Sequence, residues 1–273
     1  SAVLGPAARA WPSASSRGRA GRSSKVSSSA FAIDAETRSG RFERQQSKFR
    51  EWVAQPAPGR YHLYVALACP WSQRAVIVHR LKGLEDVIGI SYAAPFRDER
   101  GWAFPGGTYV DDLHGWSFLQ EGYQQTDPDF GGRITVPVLW DKEENRIVSN
   151  ESQDIVRMLN GEFNAFAKSP DLDLYPPELR REIDALNERV YDEVNNGVYR
   201  TGFATSQEAY EEAFGALFDR LAALEELLGE RRYLAGDRIT EADWRLWVTL
   251  LRFDAVYYVH FRCNGRLIAD SPN

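Results

Sequence analysis

A chain of 273 residues with 43% hydrophobic content can bury a large core and hold one or two domains. The formal charge of −6 is unevenly spread: Arg9, Arg17, Arg19, Arg22 and Lys25 give residues 1–33 a charge of +5, leaving −11 on the remainder, an acidic body that argues against a nucleic-acid partner. No run approaches the roughly 18 consecutive apolar residues of a membrane span, and Cys69 and Cys263 are too few for a disulfide-built secreted scaffold, so a reducing compartment is expected.

Residues 1–33 are rich in Ala, Ser, Gly and Arg, lack acids and show no helical or alternating apolar pattern. That composition suits an organelle transit peptide, and the dominance of Ser and Ala favours a chloroplast over a mitochondrion or the cytoplasm; the plainer reading is a disordered tail. Ser1 stands where a Met would, which fits a start further upstream. Residues 34–60 form an arm with Phe42, Phe49 and Trp52, closed by Gln55-Pro56-Ala57-Pro58-Gly59.

The aromatic and aliphatic run 61–67 suits a buried strand that stops before Cys69-Pro70. Pro70 fits a first helical turn, where its missing N–H costs nothing. Val76, Ile77, Leu81 and Leu84 recur at helical spacing with Gly83 near the stop, which predicts a helix over 70–82. A second strand is expected over 87–93, then a long loop region over 94–132 with one helix near 116–125, then a hairpin of 135–141 and 146–148. Pro137 in a strand-like segment is expected at a strand start, in the cis form.

Ser149-Asn150 offer capping side chains to a helix over 152–159. Beyond Pro170 the pattern is helical throughout, with helices over 178–194 and 206–228. A third, to about 251, opens at the capping-box spacing Thr240-Glu241-Ala242-Asp243. This order gives a thioredoxin-like α/β domain over 61–165 followed by an all-α domain over 166–273.

Cys69 follows a strand and directly precedes a helix, whose unpaired N–H groups and dipole favour a thiolate there. Ser72 stands where a second cysteine of a Cys-x-x-Cys pair would be, so a disulfide formed at Cys69 must be resolved by an external thiol. Cys263 reads as an inert, half-buried residue. A cis Val136-Pro137 bond would turn the Val136 backbone out to pair with an extended ligand.

Glu151-Ser152 at a helix start offer a carboxylate for an ammonium group, and a hydroxyl with helix N–H groups for a carboxylate, which suits a γ-glutamyl head. Trp102 and Trp116 lie in irregular sequence and read as loop anchors or ligand lids. Tyr199, Tyr257 and Tyr258 read as pocket or core tyrosines. His62, His79, His114 and His260 lack metal-ligand spacing, so no metal site is expected.

Several stretches together resemble the glutathionyl-hydroquinone reductases, the xi class of glutathione transferases. They are Arg60-Tyr61-His62-Leu63-Tyr64-Val65, Ala68-Cys69-Pro70-Trp71, Gly101-Trp102-Ala103-Phe104, Val136-Pro137-Val138-Leu139-Trp140-Asp141, Ser149-Asn150-Glu151-Ser152, Asn195-Asn196-Gly197-Val198-Tyr199, and the later runs 233–247 and 252–257. The likeness runs from about Phe42 to the end of the chain. It implies the glutathione transferase fold and an enzyme that reduces glutathionylated hydroquinones by thiol exchange, with glutathione as cosubstrate and no permanently bound cofactor.

By matching motifs, Cys69 is the implied nucleophile. Trp102, Val136, Pro137, Glu151 and Ser152 are the implied glutathione site, and Tyr199 and Tyr257 the implied hydroquinone pocket. The resemblance also implies a homodimer. Two departures stand out: the family often has Ala and His where this chain has Ser72 and Gln73, and its members continue through a further C-terminal segment beyond the position of Asn273. Rival readings are a conjugating glutathione transferase that needs no cysteine, and a non-catalytic glutathione-binding scaffold.

Overall fold

The computed structural model describes residues 37–273. Two short strands, β1 (Thr37–Arg38) and β2 (Arg41–Phe42), pair as a hairpin at the start of the arm. The chain then runs through β3 (Tyr61–Val65), α1 (Pro70–Leu81) and β4 (Gly89–Tyr92). The long loop region holds a small hairpin of β5 (Arg97–Asp98) and β6 (Gly101–Trp102), and α2 (Gln120–Thr126). Next come β7 (Val138–Asp141), β8 (Arg146–Ser149) and α3 (Ser152–Gly161).

The main sheet has the order β4-β3-β7-β8, with β3 parallel to β4 and antiparallel to β7, and β7 antiparallel to β8. Side chains alternate across it as a two-residue period requires. Leu63, Val65, Leu139 and Val148 face a core built with Ala75, Val76 and Val78 of α1 and Ile155, Met158 and Leu159 of α3. Tyr64, Val138, Trp140 and Ile147 face the opposite way, onto Trp102, Phe104, Leu119 and Tyr123. Both faces are covered, so the strands read as nearly continuous apolar runs.

Helix α2 starts later than the sequence suggests. The buried Asp111 carboxylate accepts N–H groups of Leu113, His114 and Trp116, holding that stretch in turns. Glu121 does the same for Ser117 and Phe118 just ahead of the helix.

The remainder is helical: α4 (Arg180–Arg189), α5 (Gly197–Phe203), α6 (Gln207–Glu230), α7 (Glu241–Arg252) and a single turn, α8 (Tyr258–His260). Its core joins Ile183, Val194, Val198, Leu217, Leu221, Leu246, Phe253 and Tyr257. The helix expected over 178–194 is divided: after Arg189 the chain widens into a π-helical stretch, Val190–Asn195. A second such stretch, Phe253–Tyr257, follows α7. Helices α1 and α7 pack together where the α/β and helical parts meet.

Candidate active site

Cys69 is the N-cap residue of α1, with an extended backbone (φ −89°, ψ 119°) and no capping hydrogen bond from its side chain. Its N–H donates to the Ala66 carbonyl at 3.0 Å, closing the turn between β3 and α1. The buried Ser72 hydroxyl fastens the same turn by accepting the Ala66 N–H at 3.2 Å. Ser72 is thus a staple of the backbone that presents the sulfur.

The Val136–Pro137 peptide bond is cis. The Val136 carbonyl oxygen accepts from the Cys69 thiol at 3.5 Å. Trp102, Val136 and the half-buried Cys69 belong to one apolar cluster. Trp102 is only 6% exposed; the Arg97 guanidinium lies 5.0 Å from its ring centre, and its Nε1 is buried without a hydrogen-bond partner.

Glu151 is the N-cap residue of α3 and accepts the Gln153 N–H at 3.2 Å. Its other carboxylate oxygen accepts from the Ser47 hydroxyl at 3.0 Å. Each oxygen keeps a further lone pair, so the carboxylate is held in place yet can still take an ammonium group. Ser152 is buried at the first position of α3.

The hydroxyls of Tyr199 and Tyr257 lie 3.3 Å apart. Tyr257 is 2% exposed and packs edge-on against Phe253 and Phe261, so its ring belongs to the helical core. Burial, then the neighbouring Tyr199 hydroxyl, pushes the Tyr257 hydroxyl well above the usual phenol range. Val136 and Tyr257 thus lie near Cys69, Tyr199 meets Tyr257, Trp102 shares the apolar cluster of Val136, and Glu151 and Ser152 stand at the start of α3, which packs on α1.

Three residues unnoticed in the sequence stand among them. Ser47 orients Glu151. Arg44 lies over Trp71 and Tyr199, 4.8 and 4.6 Å from their ring centres. Arg74, 4% exposed, stacks on Trp71 at 4.4 Å and donates to Asn195 Oδ1 at 2.6 Å. Burial, then the neighbouring Arg245, pulls the Arg74 guanidinium down to about 9, which still leaves it cationic at neutral pH; Glu151 and Cys69 oppose that fall. A buried cation thus lies within electrostatic reach of Glu151 and Cys69.

Cys263 is fully buried elsewhere, its sulfur against the Val198 and Phe261 carbonyls, and burial pushes its thiol up to about 12.

This arrangement presents a sulfur at the start of a helix, next to the Val136 carbonyl and near an anchored carboxylate. Such a site can exchange thiols with a small γ-glutamyl peptide.

Comparison with known proteins agrees. The N-terminal domain family of the glutathione S-transferases matches residues 68–162, and the C-terminal domain family matches residues 207–273. The chain is 51% identical over 245 residues to the glutathionyl-hydroquinone reductase PcpF of Sphingobium chlorophenolicum, covering 88% of this chain and 78% of that protein. It is 50% identical over 257 residues to the glutathionyl-hydroquinone reductase YqjG of Escherichia coli, with the same coverage. The glutathione-bound structure of YqjG superposes with a TM-score of 0.78, covering 82% of this chain and 77% of that one at 50% identity. The xi-class glutathione transferase of Phanerochaete chrysosporium superposes at 0.83, covering 86% and 79% at 48% identity.

These relatives correct the chloroplast placement read from residues 1–33. Sphingobium and Escherichia are bacteria and have no plastids, so these relatives do not support a chloroplast protein. That segment lies outside the described residues.

Proposed function

Because this chain belongs to the glutathionyl-hydroquinone reductases, the xi class of the glutathione transferases, we propose that it reduces glutathionylated hydroquinones with Cys69 as the nucleophile. It is a glutathione-dependent enzyme, with glutathione as cosubstrate. The reading takes a glutathionylated quinol as substrate, no permanently bound cofactor, and a homodimeric assembly, as the family resemblance implies.

In the first half-reaction the Cys69 thiolate attacks the sulfur of the glutathionyl group. An S–S bond forms, the aryl C–S bond breaks, and the ring, having gained a proton, leaves as free hydroquinone. In the second, a glutathione thiolate attacks the mixed disulfide, releasing glutathione disulfide and restoring the Cys69 thiolate. Electrons balance: each hydroquinone freed from its thioether costs one glutathione, and the two glutathionyl groups leave joined.

Glutathione is expected to lie along the Val136 backbone, packed toward Trp102, with its α-amino group at Glu151 and its α-carboxylate at Ser152 and the start of α3. Tyr199 and Tyr257 would meet the quinol through their hydroxyls. The observation that carries this reading is Cys69 Sγ at the N-terminus of α1, 3.5 Å from the Val136 carbonyl.

Intact-mass measurement after mixing with glutathione disulfide tests it. One glutathionyl adduct at Cys69, removed again by fresh glutathione, is the expected result. A chain that stays unmodified while joining glutathione to an electrophile would be a conjugating transferase instead.

A further inference from the structure

The arm ahead of β3 ties the helical part to the α/β part. The Gly40 carbonyl accepts the Thr205 N–H at 3.1 Å, and Arg41 pairs with Glu212 of α6 at 2.6 Å. Further along, Arg50 pairs with Asp154 of α3 at 2.8 Å. Between these anchors the arm places Ser47 on Glu151 and Arg44 on the aromatic wall beside Cys69.

Arg44 is built into that wall by its flat face and one edge. Its guanidinium carbon lies 4.6 to 5.5 Å from the ring centres of Tyr199, Trp71 and Phe42. Its Nε donates to Asn196 Oδ1 at 2.7 Å. Its Nη2 is buried and has no hydrogen-bond partner. A planar cation can stack on rings while presenting N–H groups along its rim, which an ammonium cannot do. A buried charged N–H without an acceptor is costly, so Nη2 has the capacity to bind an oxygen brought against the rings it lies over.

We propose that Arg44 receives a phenolic oxygen of the quinol and takes up the negative charge that develops there when the ring is released. This rests on the reductase reading. When the Cys69 thiolate attacks the glutathionyl sulfur, the electron pair of the aryl C–S bond must go to the ring. From the keto tautomer, which already carries its proton on the sulfur-bearing carbon, that pair restores the aromatic ring and leaves a phenolate, which water then protonates. The thiolate charge lost at Cys69 reappears on the phenolate oxygen, and the Arg44 guanidinium is the cation stacked on the rings that flank it. Arg44 would thereby select donors whose leaving part is a phenol.

The test compares two glutathionyl donors on the same protein: S-glutathionyl-hydroquinone, which releases a phenol, and glutathione disulfide, which does not. Transfer of the glutathionyl group to Cys69 is followed by intact mass for the wild type, Arg44→Met and Arg44→Lys. Arg44→Met is expected to slow transfer from the quinol donor roughly 10²-fold more than transfer from the disulfide, the loss typical of one charge-stabilising donor. Arg44→Lys should restore part of it. The quinol-specific deficit should shrink when a chlorinated ring, with its more acidic phenol, replaces the parent.

Equal losses on both donors would show a merely structural residue, and faster transfer by Arg44→Met would show a plug; either overturns the proposal while the reductase reading stands. A wild type that accepts neither donor would sink both.

Discussion

Cys69 and Cys263 carry the same thiol in opposite surroundings. Cys69 is partly exposed at the start of a helix, whereas Cys263 is sealed in the helical core with its thiol pushed up by burial to about 12. Iodoacetamide at neutral pH should therefore add one group to the native protein, at Cys69, and a second only after unfolding. Two groups on the folded chain, read by peptide mapping, would contradict this. The placement of Cys69 and Glu151 at helix starts is legible in the sequence because both signals are local: a thiol before a helix-opening proline, and a carboxylate after capping side chains. Arg44 and Ser47 are not, because their partners Asn196 and Glu151 lie 152 and 104 positions away, and the arm has no periodicity to show which way its side chains turn. Arg74 did leave a trace. Pro70, Arg74 and Val78 form one buried row of α1, and a charge in an otherwise apolar row marks a site or a costly burial.

At the level of elements, α7 shows how much a local signal can settle. The Asp243 carboxylate accepts the Thr240 N–H at 2.7 Å, its hydroxyl at 3.0 Å and the Leu234 N–H at 2.9 Å, as the capping-box spacing suggests. The π-helical stretch after α4 shows the opposite. Apolar periodicity over 178–194 fits one continuous helix, and the pattern cannot distinguish one wider turn from an α-helical one. What the wider turn achieves is visible only in three dimensions, where consecutive Asn195 and Asn196 are both turned inward. Asn195 holds Arg74 at 2.6 Å, the Arg245 carbonyl at 3.1 Å and Thr249 Oγ1 at 2.8 Å, while Asn196 holds Arg44. Asn195→Ala strips three buried bonds and should cost about 2–3 kcal/mol in urea unfolding. A loss below about 0.5 kcal/mol would mean that the stretch does not depend on them.

Across the whole molecule, the two parts are joined by charge as well as by apolar packing. Arg157 of α3 bonds Glu241 of α7 at 2.7 Å and also pairs with Asp184 of α4; Glu241 in turn accepts from Asn187 at 2.7 Å. Glu241 is 3% exposed at its side chain and Arg157 21%, so Arg157→Met should cost about 2 kcal/mol, less than the ~3–5 of a fully buried pair because the cation keeps some water. Burial raises the Asp184 carboxyl, but the Tyr175 hydroxyl and Arg157 outweigh it and hold the group below its ordinary value. A carboxylate depressed in the folded state stabilises above its unfolded value, about 3.9, and loses that contribution as pH falls through the folded one. The gap between wild type and Arg157→Met should thus be full at neutral pH and narrow below about pH 4. A constant gap across that range would contradict the pairing. The two-part architecture is legible as a change from mixed to purely helical patterning near Pro170, but the ties across it, including the arm, depend on long-range partners that no local pattern carries.

If the Cys69 sulfur performs the reduction, Cys69→Ala should release no hydroquinone from S-glutathionyl-hydroquinone above the uncatalysed rate with excess glutathione, while its far-ultraviolet circular dichroism and thermal midpoint stay near those of the wild type. Hydroquinone release by a folded Cys69→Ala protein within about tenfold of the wild-type rate, a barrier difference of only ~1.4 kcal/mol, would contradict it.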